Sequence, residues 1–148
     1  VITDTSCLIL LDKINAFDVL NRLFKYVSTT PEIKEEFGVN LPEWVEIRLV
    51  QDVVLMEAFK DSVDLGEASA ISLAIETPNS LIIVDDLKAR KLASRMELKF
   101  IGTLGLFLMA KKHNVISNVR PYINKIQATD FRISQDLINY TLKKADEN

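Results

Sequence analysis

The chain has 148 residues, 48% of them apolar and 26% charged, with a formal net charge of −3 at pH 7. That length supports one core rather than two, and the composition excludes a disordered, collagenous or low-complexity chain. One cysteine and one histidine exclude an internal disulfide and a multi-cysteine zinc site, so any metal must be held by oxygen, while the acidic balance excludes coating of nucleic acid by bulk charge and leaves only a local basic patch for that purpose.

Val1–Thr5 is a β-branched run that turns polar at Asp4-Thr5-Ser6, and Cys7–Leu11 continues as a helix. Phe17, Leu20, Leu23 and Phe24 recur at helical spacing, and Tyr26–Thr29 is a second strand bounded by Thr30-Pro31. Pro31 suits a first helical turn, Ile33 and Phe37 share a face, and Gly38 is a natural stop; this helix carries Glu32, Glu35 and Glu36. Val45–Val50 alternates like an exposed edge strand. Val53–Phe59 reads as a helix, and Leu65-Gly66-Glu67 opens another with an apolar stripe of Ala68, Ile71, Ala74 and Ile75, ended by Pro78-Asn79.

Leu81–Val84 is a continuous apolar run of the kind buried on both faces of a parallel sheet, and it terminates in Asp85-Asp86. A helix over about Leu87–Met96 and a short strand Lys99–Ile101 follow, after which Gly102-Thr103 supplies a turn, with Thr103 as N-cap of a helix Leu104–Lys112. Helical segments near Val119–Gln127 and Ser134–Lys144 complete the chain. The expected fold is therefore a single α/β domain over 1–148, doubly wound, with four or five parallel strands and a C-terminal helical extension over about 118–148. No apolar run reaches the roughly 20 residues of a membrane helix. The chain opens directly into Val1-Ile2-Thr3-Asp4 with no basic leader, so a cytoplasmic protein with no membrane contact is expected.

Ligands of open α/β sheets bind outside the carboxyl ends of the strands, which directs attention to Asp4 and to Asp85-Asp86. The helix starts at Glu67 and the stretch around Glu36 can reach the same crevice, so acids from four places converge. Two carboxylates about 4 Å apart repel by roughly 4 kcal/mol at an effective dielectric of about 20, and a divalent cation resolves such a conflict. Hard oxygen ligands select Mg²⁺ or Mn²⁺, and the implied reaction is phosphodiester hydrolysis.

The residues also resemble a family. Asp4-Thr5-Ser6, the helix start Leu65-Gly66-Glu67-Ala68-Ser69-Ala70-Ile71, the strand end Ile83-Val84-Asp85-Asp86 with Ala89-Arg90 after it, Gly102-Thr103-Leu104-Gly105, and the tail Phe131-Arg132-Ile133-Ser134 together resemble PIN-domain proteins of the DUF3368 branch, which includes VapC-like and nucleic-acid-binding members. The likeness runs over essentially the whole chain and rests on the ordered set, since each piece alone is weak. It implies a three-layer α/β/α domain and a Mg²⁺- or Mn²⁺-dependent endoribonuclease acting on RNA. It further implies a toxin of a toxin–antitoxin pair, with an antitoxin partner and a homodimer.

Carried over by position, the family's acids fall on Asp4, on Glu36 or its rival Glu35, on Glu67 and on Asp86, with Asp4, Glu67, Asp85 and Asp86 as metal ligands. Thr5 and Ser6 support Asp4. Glu67 stands where aspartate is common, and Asp85 where a hydroxyl is common. Lys88, Lys91 and Arg95 lie at i, i+3 and i+7 after the acidic strand end, where they can guide phosphate, and Thr103 can touch a phosphate at its helix start.

Each acid also has a plainer reading. Asp4 and Asp86 are natural N-caps, Glu67 complements a helix dipole, and Glu35 and Glu36 are an ordinary solvated pair. Asp64 is read as a cap, His113 as a helix C-terminal residue, Cys7 as a small packed residue, and the three cations as a solvated face. The competing function is a PIN-like module that binds nucleic acid or a regulatory partner without cutting. A phosphoacceptor receiver domain fits less well, because no paired acids follow the first strand.

Overall fold

The computed structural model describes residues 1–147. Five short strands, β1 (Ile2–Thr3), β2 (Val27–Thr29), β3 (Val45–Ile47), β4 (Leu81–Ile83) and β5 (Lys99–Ile101), form one all-parallel sheet in the order β3-β2-β1-β4-β5. Ile2 of β1 pairs with Ser28 on one side and Ile82 on the other. The chain builds outward from β1 to β2 and β3, then returns to lay β4 and β5 on the opposite side. The order therefore reverses between β1 and β4, which opens a crevice beyond their carboxyl ends. The alternating run after Pro42 is the edge strand β3, as its exposed Glu46 and Ile47 require.

Parallel strands need crossovers, and nine helices among the described residues supply them: α1 (Thr5–Lys13), α2 (Phe17–Leu23), α3 (Pro31–Phe37), α4 (Val53–Phe59), α5 (Leu65–Glu76), α6 (Leu87–Arg95), α7 (Thr103–Lys112), α8 (Arg120–Gln127) and α9 (Gln135–Lys144). The helices cover both faces of the sheet in a three-layer α/β/α arrangement. Helix α5 crosses β1 and β4 and touches α3, α4 and α6. Its small residues Ala68, Ser69, Ala70, Ser72 and Ala74 are all buried, which lets its backbone approach the sheet closely. Buried apolar side chains from Ile2 to Ala145 form one contiguous core. Cys7 is fully buried within it.

Local chemistry sets the helix ends. Thr30 caps α3 and Gly38 ends it with φ of 79°, a left-handed conformation that glycine adopts without strain. His113 stands at the C-terminus of α7. The end of the chain is pinned by Glu147. Its carboxylate accepts the backbone N–H groups of Val119 (2.7 Å) and Arg120 (3.0 Å) at the start of α8, where the N-cap side chain is apolar, and pairs with Lys111 Nζ at 3.0 Å. These bonds attach α8 and α9 to α7. Asn148, the last residue of the expected extension, lies outside the described residues. No helix is long and apolar enough to cross a membrane among the described residues.

Candidate active site

Asp4 follows β1 directly and is the N-cap of α1, where its Oδ1 accepts the N–H of Cys7 at 2.9 Å. A capping carboxylate normally has a lowered pKa, because the helix N-terminus favours its charged form. Here the opposite holds. Asp4 is only 2% exposed. Burial pushes its pKa up to about 8; the Cys7 N–H opposes this, and the charges of Asp85, Glu67 and Asp64 add to it. The acids of β1, β4 and α5 thus act on one another at the switch point of the sheet.

Glu67 and Asp64 form a capping box at the start of α5: Asp64 Oδ1 accepts Glu67 N–H at 2.9 Å, and Glu67 Oε1 accepts Asp64 N–H at 3.3 Å. Burial, followed by the charges of Asp64 and Asp86, raises the pKa of half-buried Glu67 to about 7. Asp64 is the cap its position suggests. Asp86 caps α6 through Ala89 N–H at 3.0 Å and is otherwise exposed. The plain reading of Asp4, Asp86 and Glu67 as helix-start residues is therefore correct. It is also incomplete, since the charge of Glu67 acts on Asp4 and that of Asp86 acts on Glu67, which brings the three helix starts to one crevice.

The second acid is positioned by a hydroxyl chain. Ile33 N–H donates to Thr30 Oγ1 (3.2 Å), Thr30 Oγ1 lies 2.7 Å from Ser69 Oγ, and Ser69 Oγ donates to the Gly66 carbonyl (2.7 Å). Because Ser69 uses its one hydrogen on Gly66, Thr30 is the donor to Ser69. All of this is buried, and it locks the start of α3 to the start of α5. Glu36, at the far end of α3, then lies against Gly66, and Thr5 Oγ1 donates to Glu36 Oε2 at 3.3 Å. Burial and the charge of Asp64 raise the Glu36 pKa, opposed by the Thr5 hydroxyl and the Gly66 N–H. Glu35, exposed like Glu36, has none of these partners among the described residues.

Asp85 and Thr103 depart from expectation. Gly102, not Thr103, is the N-cap of α7. Having no side chain, it leaves the capping to Asp85, whose Oδ1 accepts Thr103 N–H at 2.9 Å and whose Oδ2 accepts Thr103 Oγ1–H at 2.6 Å. A Cβ at Gly102 would lie 2.7 Å from Asp85 Oδ1, so glycine is needed for the carboxylate to reach the helix end. Thr103 is buried, and both of its donors are taken by Asp85, which leaves neither for a phosphate.

The remaining expected residues are dispersed. Thr5 is tied to Glu36, whereas Ser6 is exposed on the first turn of α1. Lys88, Lys91 and Arg95 project from the exposed side of α6 with no ion pair among the described residues. Thr30, Ser69 and Arg90, present in the motifs or beside them, were not expected to have a role at the site. The first two were legible as a hydroxyl before Pro31 and a polar residue on an otherwise apolar helix face. Arg90 carries no such local signal: its guanidinium carbon lies 5.3 Å from the centre of the Phe100 ring, across the helix-to-strand connection.

Among the described residues, no three acidic, histidine or cysteine side chains are arranged as a ready metal cage. The donor set nonetheless fits a hard cation. Mg²⁺ keeps several waters and is typically held by only one or two carboxylates together with phosphate oxygens. Asp4, raised by burial and by the charges of Asp85, Glu67 and Asp64, and Glu67, raised by burial and by the charges of Asp64 and Asp86, are acids whose charged forms a cation would favour.

An all-parallel α/β sheet with mutually repelling carboxylates at its switch point defines a class of acidic-crevice α/β proteins. The family model DUF3368, described as a PIN domain, matches residues 1–147, and the chain belongs to that family. PIN domains are generally nucleases and usually use divalent metal ions. No curated protein matches the chain.

Proposed function

We propose that this protein is a metal-dependent endoribonuclease that hydrolyses RNA phosphodiester bonds, acting as the toxin of a toxin–antitoxin pair. The observation that carries this reading is Asp4, a buried carboxylate at the switch point whose pKa stands at about 8 because burial and the charges of Asp85, Glu67 and Asp64 outweigh its helix cap. A purely structural cap has no reason to sit among other acids.

Asp4 and Glu67 would hold Mg²⁺ or Mn²⁺ directly, with Asp86, whose charge acts on Glu67, reaching the ion through one of its waters. When bound, the ion lowers the pKa of an attacking water and offsets charge on the phosphate. Asp4 is fixed through Oδ1 by the Cys7 N–H, which leaves its other oxygen for the ion. Glu36, steadied by Thr5 and the Gly66 N–H, is placed to take or return a proton at its carboxylate, and its raised proton affinity suits that task. Asp85 serves as the cap that orients α7 and contributes charge behind Asp4. Lys88, Lys91 and Arg95 supply a cationic helix face along which an RNA backbone can run.

The exposed Ile47, Leu49, Val53 and Val54, along the edge strand and α4, support self-association into a homodimer. The function is tested by incubating the full chain with labelled single-stranded RNA in Mn²⁺, in Mg²⁺ and in EDTA. Internal cleavage with either ion, absent in EDTA, is the expected result. Retained RNA binding with no cleavage under any divalent ion would instead establish the non-catalytic binding module.

A further inference from the structure

A cavity of about 350 Å³ lies beside the carboxylate cluster and shares Asp85 as a wall. Its other sides come from β5, α7 and the C-terminal stretch 131–141, with Arg90, Phe100, Phe131, Arg132 and Tyr140 among the lining residues. The volume lies at the lower end of the roughly 300–1,000 Å³ of small-ligand pockets. None of these lining residues except Asp85 has a part in the chemistry proposed above.

The lining joins two kinds of recognition. Phe100, half-buried Phe131 and exposed Tyr140 offer aromatic surface. Arg90 and Arg132 offer guanidinium groups, and neither forms an ion pair among the described residues. Arg90 lies over the Phe100 ring, and its Nε is buried with no hydrogen-bond partner. A buried donor without an acceptor is unfavourable unless a ligand or water supplies one. Asp85, the acidic wall, has both oxygens engaged by Thr103. Gly102 lines the cavity next to Arg90, whose Nη2 lies 3.7 Å from where a Cβ at that position would stand.

We infer that this cavity binds one nucleotide of a single-stranded RNA flanking the scissile phosphate, its base stacked on the aromatic side chains and its phosphate held by Arg90 and Arg132. A planar base with an adjacent anion matches rings and guanidinium groups together, whereas an apolar peptide would leave both arginines without an anionic partner. Single-stranded RNA is commonly read by such stacking on aromatic and guanidinium planes. The inference rests on the nuclease reading for its substrate, but the binding itself can be measured without catalysis.

The test is a titration of the ¹⁵N-labelled full chain in EDTA with adenosine 5′-monophosphate, with uridine 5′-monophosphate and with inorganic phosphate. Saturable shifts are expected at the amides of Phe100, Gly102, Gly105 and residues 131–133 for at least one nucleotide, at lower concentration than for phosphate. Arg132→Ala and Tyr140→Leu alter exposed side chains, so their amide spectra should stay folded, and each should weaken binding about tenfold. No shifts with either nucleotide, or equal affinity for phosphate alone, would overturn the proposal. Mn²⁺-dependent RNA cleavage without nucleotide binding would remove the cavity from the account and leave the nuclease. Nucleotide binding without cleavage would uphold the cavity and remove the nuclease.

Discussion

Glu36 rests its carboxylate on the backbone of Gly66: a Cβ built at Gly66 would lie 2.2 Å from Glu36 Oε1. Helix α5 can therefore begin at that point only with a residue lacking a side chain if Glu36 is to stay in place. Gly66→Ala should leave the fold intact, because alanine is the better helix former and the atom it meets is the end of a flexible side chain. It should displace Glu36 and reduce cleavage. Glu36→Gln should reduce kcat by roughly 10²-fold, in the range for proton-transfer groups, while Glu35→Gln stays near wild type. Equal losses from the two glutamine variants would contradict the placement.

The metal-free protein should become less stable as pH rises. Burial, opposed by the Cys7 N–H and aided by neighbouring acids, holds Asp4 at about 8 against an ordinary 3.8. Between those values the folded chain binds a proton at Asp4 that the unfolded chain has released, so stability is fully present below about pH 4 and is lost as pH climbs through 8. Glu67, raised to about 7, acts in the same direction. Thermal melts in EDTA from pH 5 to pH 8.5 check this. Asparagine caps a helix as well as aspartate does, so Asp4→Asn should melt above wild type at pH 8.5, by about 2–4 °C per kcal/mol gained, with the gap narrowing at pH 5. A gap that does not change with pH would mean that Asp4 is an ordinary cap.

Asp85 should prove structural. It provides α7 with the cap that Gly102 lacks, through Thr103 N–H and Oγ1. Asp85→Ala leaves buried Thr103 without acceptors and should destabilise the protein by about 1–3 kcal/mol in urea unfolding. Asp85→Asn retains carbonyl acceptance for one of the two bonds and should lose less. A stability unchanged in Asp85→Ala would show that its bonds to Thr103 do not hold the helix.

These contrasts explain what was legible in the chain. Leu81–Val84 announces a buried central strand because its apolar run is unbroken, and the sudden Asp85-Asp86 marks a crevice where the order of strands reverses. The edge position of β3 was visible in the alternation of Val45-Glu46-Ile47. The choice between Glu35 and Glu36 had a usable signal. Glu36 is three residues after buried Ile33 and so shares its side of the helix, while Glu35 is only two away. Thr103 was misread because a nearby hydroxyl is the usual cap, whereas the actual acceptor comes from a residue 18 positions earlier. The place of Arg90, although it stands in a quoted motif, was not legible for a similar reason, since its environment depends on where α6 sets it relative to Phe100.

Metal-dependent cleavage by the full chain, measured in single turnover on labelled single-stranded RNA, tests the central claim most directly when Asp4→Asn and Asp86→Asn are run beside wild type. Both substitutions keep a capping side chain and should remain folded. The account predicts Mn²⁺-dependent cleavage by wild type, none in EDTA, and a loss of roughly 10²-fold or more in each variant. Cleavage that persists in Asp86→Asn or in EDTA, or a wild-type protein that cuts no RNA with any divalent ion, would contradict it.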